Sequence, residues 1–382
     1  MKESSQRSNR VPASFNRVTI DLGALRDNFL LLRRNAGAAD LLAMVKADAY
    51  GHGMLECASV LEQAGCSMFG VAELREAVLL RQAGITASVF AMVGFAAEDA
   101  AEFCLHDITP VVYDERSLEA LSQAAVALKK PLSVHLKVDV GMRRLGVDQA
   151  GLQRLVQYIE SLPGLSLGGI AGHFPSSDDR SSGSTEACLA SFKEFEALLP
   201  FRERLVCHVA NSGGTLYYPE SRFDMVRCGI SLYGYYPEGR NKDDLGDLRP
   251  VLSFTSRVLQ VKTVPAGCGV SYGWTYVTDK TTTLAVLPVG YEDGFSRRLS
   301  NCGEVLIRGR RAPVRGRVCM NLCMVDVTEI EGVRAGDEVV ILGGQGEDCI
   351  TADEIASRIG SISYEVLCMI GNTNEREFVF DS

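Results

Sequence analysis

Short apolar runs alternate with amphipathic helical patterns over the first two thirds of the chain, from about Leu41 to Gly234. The segment Arg116–Lys129, for example, carries its apolar residues at helical spacing between two such runs. This alternation is typical of a parallel sheet with crossover helices. It predicts eight strands: Leu42–Lys46, Met68–Ala72, Ser88–Val93, Thr109–Tyr113, Leu132–Asp139, Leu167–His173, Arg204–Asn211 and Met225–Tyr233.

Eight strand–helix units predict a TIM (β/α)8 barrel, with a doubly wound open sheet as the alternative. Polar residues at the carboxyl ends of the predicted strands favour the barrel, because those ends share the rim on which barrel active sites are built. These residues are Lys46, Lys137, Arg144, His173, Asn211, Ser212, Arg227 and Gly229. The sequence therefore predicts a site assembled from several strands.

The pattern changes after Pro250 to short alternating strands separated by glycine-rich turns. The predicted elements are the strands Leu252–Val261, Thr282–Val289, Glu304–Ile307, Cys323–Val327 and Glu338–Leu342, and one helix, Thr351–Ile359. We therefore predict a disordered tail over 1–13, a barrel over 14–240 and a β-rich C-terminal domain over 250–382. The polar segment Gly239–Asp247 is the expected linker.

Composition narrows the function to small-molecule chemistry. A net charge of -9 argues against nucleic-acid binding, which needs a basic face. The longest apolar stretch, Ile85–Ala97, is too short to cross a bilayer. The twelve cysteines are scattered singly, as in a reduced cytosolic protein. Only Cys319 and Cys323 lie close together, without further ligands at zinc spacing, so we expect no metal site.

Lys46 ends an apolar strand-like run and is followed at once by a glycine-rich turn. A lysine in this position has its amine held on a rigid element and directed into a pocket, as a Schiff-base lysine requires. Spacing alone fits equally a strand-end lysine that reaches solvent.

The block Val45–Gly53 (VKADAYGHG) resembles the pyridoxal phosphate (PLP) lysine motif of bacterial alanine racemases. The resemblance extends from about Asn16 to Val379 and implies a PLP enzyme with a TIM barrel and a β domain, working as a homodimer with shared active sites. Further matching blocks are Lys137–Val147, Gly172–Phe174, Asn211–Ser212, Arg227–Gly234, Val270–Tyr276, Leu287–Phe295, Arg317–Met320 and Tyr364–Cys368.

The resemblance implies two catalytic bases. Lys46 would carry PLP and act on one face of the substrate α-carbon, and Tyr272 of the partner subunit would act on the other face. Racemisation removes a proton on one side and delivers one on the other, which suits such a pair. Because a phenol is a weak base at neutral pH, neighbouring cations must favour the phenolate. We expect His173 beside Arg227 to do this.

Further contacts are carried over from the same resemblance. Arg227 would face the pyridine nitrogen and Arg144 the phenolic oxygen of PLP, and Lys137 would be carbamylated to pair with Arg144. The expected cofactor-binding residues are Lys46, Tyr50, Arg144, His173, Asn211, Ser212, Arg227, Gly229 and Ile230, and the expected substrate-binding residues are Arg144, Tyr291, Met320 and Asn372.

Two residues depart from the family pattern. Asn321 stands where the family usually has aspartate, and Asn372 falls on the position of a pocket tyrosine. Loss of that phenol enlarges the pocket and adds an amide that can bond a hydroxyl. This resembles the cytosolic domain of VanT-type serine racemases of vancomycin resistance, whose membrane-spanning region this chain lacks.

We therefore expect a cytoplasmic PLP-dependent racemase that acts on serine and alanine for peptidoglycan precursors in vancomycin resistance. It could also be the cytosolic domain of a membrane-anchored protein. The alternatives are a housekeeping alanine racemase, a PLP-dependent decarboxylase and a non-catalytic PLP-binding protein. Arg227 disfavours the decarboxylase, which would place an acid on the pyridine nitrogen. The β domain and Tyr272 disfavour the binding protein, which needs only the barrel.

Overall fold

The computed structural model describes residues 13–237 and 245–380. The predicted tail lies almost wholly outside these ranges, and so does most of the predicted linker Gly239–Asp247. The chain forms two compact units. One comprises Ile20–Leu252 with the residues from Phe378 onward, and the other joins the residues up to Thr19 to Ser253–Glu377.

The first strand of the chain, β1 (Arg17–Asp21), precedes a parallel sheet of eight strands. These strands are β2 (Asp40–Met44), β3 (Met68–Val71), β4 (Ser88–Ala91), β5 (Ile108–Val112), β6 (Leu132–Lys137), β7 (Leu165–Ala171), β8 (Val206–His208) and β9 (Met225–Cys228). They follow the order β8-β7-β6-β5-β4-β3-β2-β9. All eight predicted strands are confirmed.

Two backbone hydrogen bonds bring the ends of this sheet together. Asp224 N donates to Cys207 O over 3.2 Å, and Arg227 N donates to Ala210 O over 2.9 Å. The sheet is thus a nearly closed barrel, and the alternative of a doubly wound open sheet is wrong.

Helices connect the barrel strands, and several begin at an acidic or amide cap. The predicted helix Arg116–Lys129 is confirmed, with Asp114 Oδ1 accepting from Ser117 N over 2.8 Å at its start. The helices are α1 (Leu22–Ala36), α2 (Lys46–Tyr50), α3 (Met54–Gln63), α4 (Leu74–Gln82), α5 (Ala100–Leu105), α6 (Glu115–Leu128), α7 (Gln149–Ser161), α8 (Ser184–Ala197) and α9 (Ser212–Tyr217).

The second unit is rich in strands, as predicted. Its further strands are β10 (Leu252–Arg257), β11 (Gln260–Val264), β12 (Gly269–Val270), β13 (Tyr276–Val277), β14 (Thr282–Leu287), β15 (Glu304–Ile307), β16 (Arg310–Pro313), β17 (Cys323–Asp326), β18 (Glu338–Gln345), β19 (Asp348–Ile350) and β20 (Arg376–Val379). One sheet follows the order β16-β15-β18-β10-β1-β20, with β19 on β18, and smaller sheets are β11-β14-β17 and β12-β13.

Two predictions for this unit are wrong in detail. The predicted strand Leu252–Val261 is two strands, because Val258 N bonds Asp337 O (2.9 Å) while Leu259 N bonds Val286 O (2.8 Å), so the chain changes sheets there. The helix α10 (Ala352–Ile359) is followed by a second one, α11 (Ser363–Thr373), which buries Val366, Leu367 and Ile370. Within the described ranges, no helix combines the length and apolarity needed to span a membrane.

Candidate active site

Lys46 lies two residues after Met44, the last residue of the buried strand β2, and is half-buried. The four residues after it turn the chain in the left-handed sense, at φ angles between 52° and 56°. Such a run of non-glycine residues costs roughly 1–2 kcal/mol per residue relative to a right-handed turn. The residues are Ala47, Asp48, Ala49 and Tyr50.

Acidic side chains and a histidine hold this left-handed turn in place. Glu76 Oε1 accepts from Ala47 N over 2.7 Å, and Asp48 Oδ1 accepts from Met54 N over 2.7 Å. The His52 ring is fully buried, with Nδ1 2.9 Å from Ala49 O. The turn fixes the backbone that carries Lys46 and directs Tyr50 inward, where it is buried.

Hydroxyls and backbone amides meet where Tyr50 approaches the end of β9. Ser212 Oγ accepts from Gly229 N over 2.9 Å, and a Cβ on Gly229 would lie only 2.4 Å from Tyr50 Oη. Ile230 opens a 3-10 turn, so its amide is a first-turn donor without an acceptor inside the turn. We call Tyr50, Ser212, Gly229 and Ile230 the phosphate cradle, because two hydroxyls and the Ile230 amide are the kinds of donor that a phosphate requires, and Gly229 leaves room beside them.

Asn211 supports the phosphate cradle from outside. Its Oδ1 caps α9 by accepting from Gly214 N over 3.0 Å, and it also accepts from Ser177 Oγ over 2.6 Å. This amide therefore orients the helix start that presents Ser212, and its hydrogen bonds to Gly214 and Ser177 are structural.

Arg227 is buried on β9, surrounded by neutral acceptors. Its Nη2 donates to Gly172 O over 2.7 Å and lies 3.1 Å from His173 Nδ1, and its Nη1 lies 2.8 Å from His208 Nδ1. Burial lowers the pKa of Arg227 to about 10, so it stays cationic at neutral pH. The barrel thus holds a buried positive charge at position 227. An acidic residue at this position would instead have indicated a decarboxylase.

Lys137 is buried on β6 and donates to Gly172 O over 3.2 Å. Burial, with the charges of Arg227 and Arg144, lowers the pKa of Lys137 well below its usual value. The amine is therefore held toward its neutral, nucleophilic form.

His173 was expected to act as a cation beside Arg227, and the structure changes that expectation. Burial, with the Arg227 and Lys137 charges, lowers the pKa of His173 well below its usual value. Its Nδ1 faces an Arg227 N–H and must accept, so the ring is neutral with its proton on Nε2. His173 can donate one hydrogen bond but carries no charge.

Arg144 lies in the loop that follows β6 and is exposed. Asp139 shapes this loop, because its Oδ1 accepts from Gly141 N (2.9 Å) and Arg143 N (3.0 Å). The chain then folds back, with Val147 N donating to Lys137 O over 3.0 Å.

Three predicted residues belong to the second unit and lie on its exposed surface. Tyr272 is 70% exposed, Met320 54% and Tyr291 43%. Their loops are tied together, since Tyr291 N donates to Cys319 O over 3.1 Å and Ser271 Oγ donates to Arg317 O over 2.6 Å. The unit therefore presents Tyr272, Tyr291 and Met320 from one connected set of loops.

Asn372 and Asn321, the two departures from the family pattern, also lie in the second unit. Asn372 is exposed in the last turn of α11. The end of that helix is anchored by Asn374 Nδ2, which donates to Asp293 O over 3.0 Å. Asn321 Nδ2 donates to the Glu292 carboxylate, so a carboxylate remains at this place although the aspartate is absent.

Sequence reasoning missed two buried histidines, His135 on β6 and His208 on β8. His135 lies two residues before Lys137, so both side chains point to the same face of the strand. The two-residue spacing between His135 and Lys137 was the feature of the sequence that could have placed His135 near the site. Among the described residues, no group of three metal-binding side chains lies together.

The chain matches known proteins over nearly its whole length. The profile "Alanine racemase, N-terminal domain" matches residues 20–237, and "Alanine racemase, C-terminal domain" matches residues 251–378. An alanine racemase of Syntrophobacter fumaroxidans is 43% identical over 363 residues, which cover 94% of this chain and 96% of that protein.

Two solved structures are also similar. The alanine racemase of a D-cycloserine-producing Streptomyces lavendulae is 34% identical, with a TM-score of 0.89, and the match covers 98% of this chain and 99% of that one. The alanine racemase of Bartonella henselae, solved with covalently bound pyridoxal phosphate, is 30% identical, with a TM-score of 0.88 and coverage of 96% and 100%.

Proposed function

Because this chain belongs to the alanine racemase family, a family of PLP-dependent enzymes, we propose that it interconverts L- and D-alanine with Lys46 and Tyr272 as the two bases. The observation that carries the proposal is the buried cationic Arg227 on the same barrel that carries Lys46 and the phosphate cradle. The relatives described above are named for alanine, which favours the alanine reading over a serine racemase of vancomycin resistance.

The residues present fit PLP. The phosphate cradle offers two hydroxyls and the backbone amide of Ile230, and Gly229 leaves the room that a side chain would fill. Lys46 would hold the cofactor covalently through Nζ. When bound, PLP supplies an electron-withdrawing ring that makes the α-proton of an amino acid more acidic.

Arg227 supports racemisation over decarboxylation or transamination. A guanidinium cannot give up its proton at neutral pH, so Arg227 beside the ring nitrogen would keep that nitrogen unprotonated. Bound PLP would then supply a weaker electron sink, which favours return of the proton to the substrate. A decarboxylase would place an acid here, whereas the acceptors of Arg227 are neutral: the carbonyl oxygens of Gly172 and Val209 and Nδ1 of His173 and His208.

The two bases act on opposite faces of the substrate α-carbon. Lys46 Nζ exchanges a proton on one face, and the Tyr272 phenol exchanges one on the other. The high exposure of Tyr272 on a single chain supports its delivery to a partner subunit in a homodimer. His173, whose proton lies on Nε2, would donate a hydrogen bond toward that phenol oxygen.

Lys137 is proposed to be carbamylated. Only a neutral amine attacks CO2, forming an N–C bond and releasing one proton, and burial beside Arg227 and Arg144 favours that neutral form. The new carboxylate would be an acceptor for Arg144 instead of a like charge. A carbamate carbon signal in protein equilibrated with 13C-bicarbonate, absent from Lys137→Ala, would support this, and equal spectra would contradict it.

Serine is a second candidate substrate because of Asn372, whose amide is smaller than the tyrosine it replaces and can bond a hydroxyl. Membrane anchoring and a role in vancomycin resistance have no support in the structure or in the relatives described above.

The decisive test is the formation of D-alanine from L-alanine by the purified protein. We expect Lys46→Ala to abolish the reaction and the PLP absorption together, and Lys262→Ala, at a lysine of the second unit, to leave both unchanged. Racemisation by Lys46→Ala at the wild-type rate would contradict the proposed function.

A further inference from the structure

Arg227 is joined to a buried histidine pair that the proposed reaction does not use. His208 Nδ1 lies 2.8 Å from Arg227 Nη1, and His208 Nε2 lies 3.0 Å from His135 Nδ1. The exposed fractions of His208 and His135 are 0% and 4%. We call these three residues, in this order, the arginine–histidine relay.

The chemistry of arginine fixes the direction of every hydrogen bond in the relay. A guanidinium only donates, so His208 Nδ1 must accept and the His208 proton must lie on Nε2. That N–H then donates to His135 Nδ1, which must also be a lone pair. Both rings are therefore neutral, with their protons on Nε2. A proton on His135 Nδ1 would set two N–H groups against each other.

The barrel makes room for the His135 ring. The pairing of β6 with β7 shifts register between Val134 and His135, where Gly168 is left as an extra residue. A Cβ on Gly168 would lie 3.1 Å from His135 Nε2, and a Cβ on Gly169 would lie 2.8 Å from His135 Cε1. The Phe90 ring meets the His135 ring edge to face, with centroids 5.2 Å apart. The His135 ring thus occupies the space left by the β-bulge and by Gly168 and Gly169, and it packs against the Phe90 ring.

The electrostatics agree with this geometry. Burial, reinforced by Arg227, lowers the pKa of His135 to about 4. Burial and Arg227 also lower the pKa of His208 well below its usual value. Both rings stay neutral across the physiological range.

We propose that His135 is a positioning residue for Arg227, as the terminal acceptor that holds the His208 ring through its Nε2–H and so aims the guanidinium at the PLP ring nitrogen. The proposal rests on the proposed function for the position of PLP. Without the His135 acceptor, the His208 N–H would be buried without a partner. The cheapest relief is to turn the His208 ring until that N–H finds a partner, which takes Nδ1 out of line with Arg227.

Two substitutions distinguish the role of His135 as a hydrogen-bond acceptor from its role as a packed ring. His135→Phe keeps a ring of similar shape and removes the acceptor. His135→Asn gives up the ring but places Oδ1 close to the position of Nδ1. If His135 acts only through packing, His135→Phe should impair the protein less than His135→Asn. If His135 acts as a hydrogen-bond acceptor, His135→Asn should impair the protein less.

The first measurement is the histidine tautomer, from 15N NMR of the purified, PLP-loaded protein at pH 7 with labelled histidine. We expect His135 and His208 to carry their protons on Nε2 in the wild type, and the His208 Nδ1 signal to move toward that of a lone pair without a hydrogen bond in His135→Phe but not in His135→Asn. A wild-type protein with a charged or Nδ1-protonated His208 would overturn the proposal without any variant.

The second measurement is kinetic. We expect His135→Phe to lower kcat for alanine by roughly tenfold with little change in KM, and His135→Asn to recover most of that loss. Equal impairment of the two variants at equal melting temperature would overturn the relay. If the wild type does not racemise alanine, the proposed function fails, while the tautomer measurement still decides the relay.

Discussion

Single residues in this protein act largely through the protonation state that their burial imposes. His135, His173 and His208 all have a lowered pKa, in each case first because of burial and then because of Arg227. Lys137 is subject to the same two causes. Burial, reinforced by one buried arginine, thus keeps these groups neutral, and a cluster of five basic groups becomes tolerable because only one is firmly charged.

This neutrality predicts a loss of stability in acid. An unfolded histidine binds its proton near pH 6.5, whereas the folded chain resists protonation, so below about pH 6.5 the unfolded state holds more protons and the free energy of unfolding falls. The fall is up to about 1.4 kcal/mol per pH unit for each histidine, and for His135 it ends near pH 4. Urea unfolding between pH 7 and 5 measures it.

His135→Asn removes one of the three histidine protons, so its slope should be smaller than that of the wild type. An unfolding free energy that is constant over this range would show that the histidines are not held neutral.

The side chain of Asn372 is expected to influence the preference of the enzyme for serine over alanine. If its amide makes one neutral hydrogen bond to the serine hydroxyl, that bond is worth about 0.5–1.5 kcal/mol, or roughly two- to tenfold in relative kcat/KM. Asn372→Tyr should lower the serine-to-alanine ratio by at least this factor, through lost contact and added bulk. Alanine should remain a substrate, because a small side chain is poorly rejected.

Asn372→Ala separates the two causes, since it removes the amide without adding bulk. A ratio that is unchanged in folded, PLP-loaded Asn372→Tyr would show that this residue does not line the substrate pocket.

At the scale of elements, the left-handed turn after β2 is the least ordinary feature of the fold. Ala47 is exposed there at φ 52°, in a conformation that glycine adopts without strain. Ala47→Gly should therefore stabilise the protein or leave it unchanged, although glycine normally destabilises a helix by about 0.5–1 kcal/mol. The melting temperature measures this.

Ala120→Gly, in the middle of α6, is the matched control and should show the ordinary loss. Equal destabilisation by both substitutions would mean that Ala47 does not adopt the left-handed conformation in solution.

The sequence predicted elements wherever the hydrophobic period was long and regular. The eight barrel strands and α6 followed from alternation and helical spacing. The left-handed turn did not, because its residues are not glycines and carry no local signal for positive φ. The relay histidines stand alone on apolar strands, where a single histidine is usually a core residue, and only the fold brings them to Arg227.

At the scale of the whole molecule, the distribution of the bases predicts cooperation between subunits. Lys46 lies on the barrel and Tyr272 on the exposed surface of the other unit. Lys46→Ala and Tyr272→Phe should each be inactive, and after subunit exchange their mixture should recover about a quarter of the wild-type activity, because half the dimers then hold one complete site.

Exchange is checked separately by copurification of differently tagged subunits. No recovery after demonstrated exchange would contradict a site shared between subunits.

The position of strand β1 in its sheet limits when the β-rich unit can fold during synthesis. It lies between β10 and β20 in the sheet, and Arg17 Nε pairs with Glu377 Oε2 over 2.6 Å. The ribosome therefore produces β1 first among the described strands and its neighbour β20 last. The barrel can fold on a nascent chain, but the β-rich unit must wait until synthesis has passed Val379. Until then β1 can pair only with β10, and its other edge stays open to wrong strand pairing.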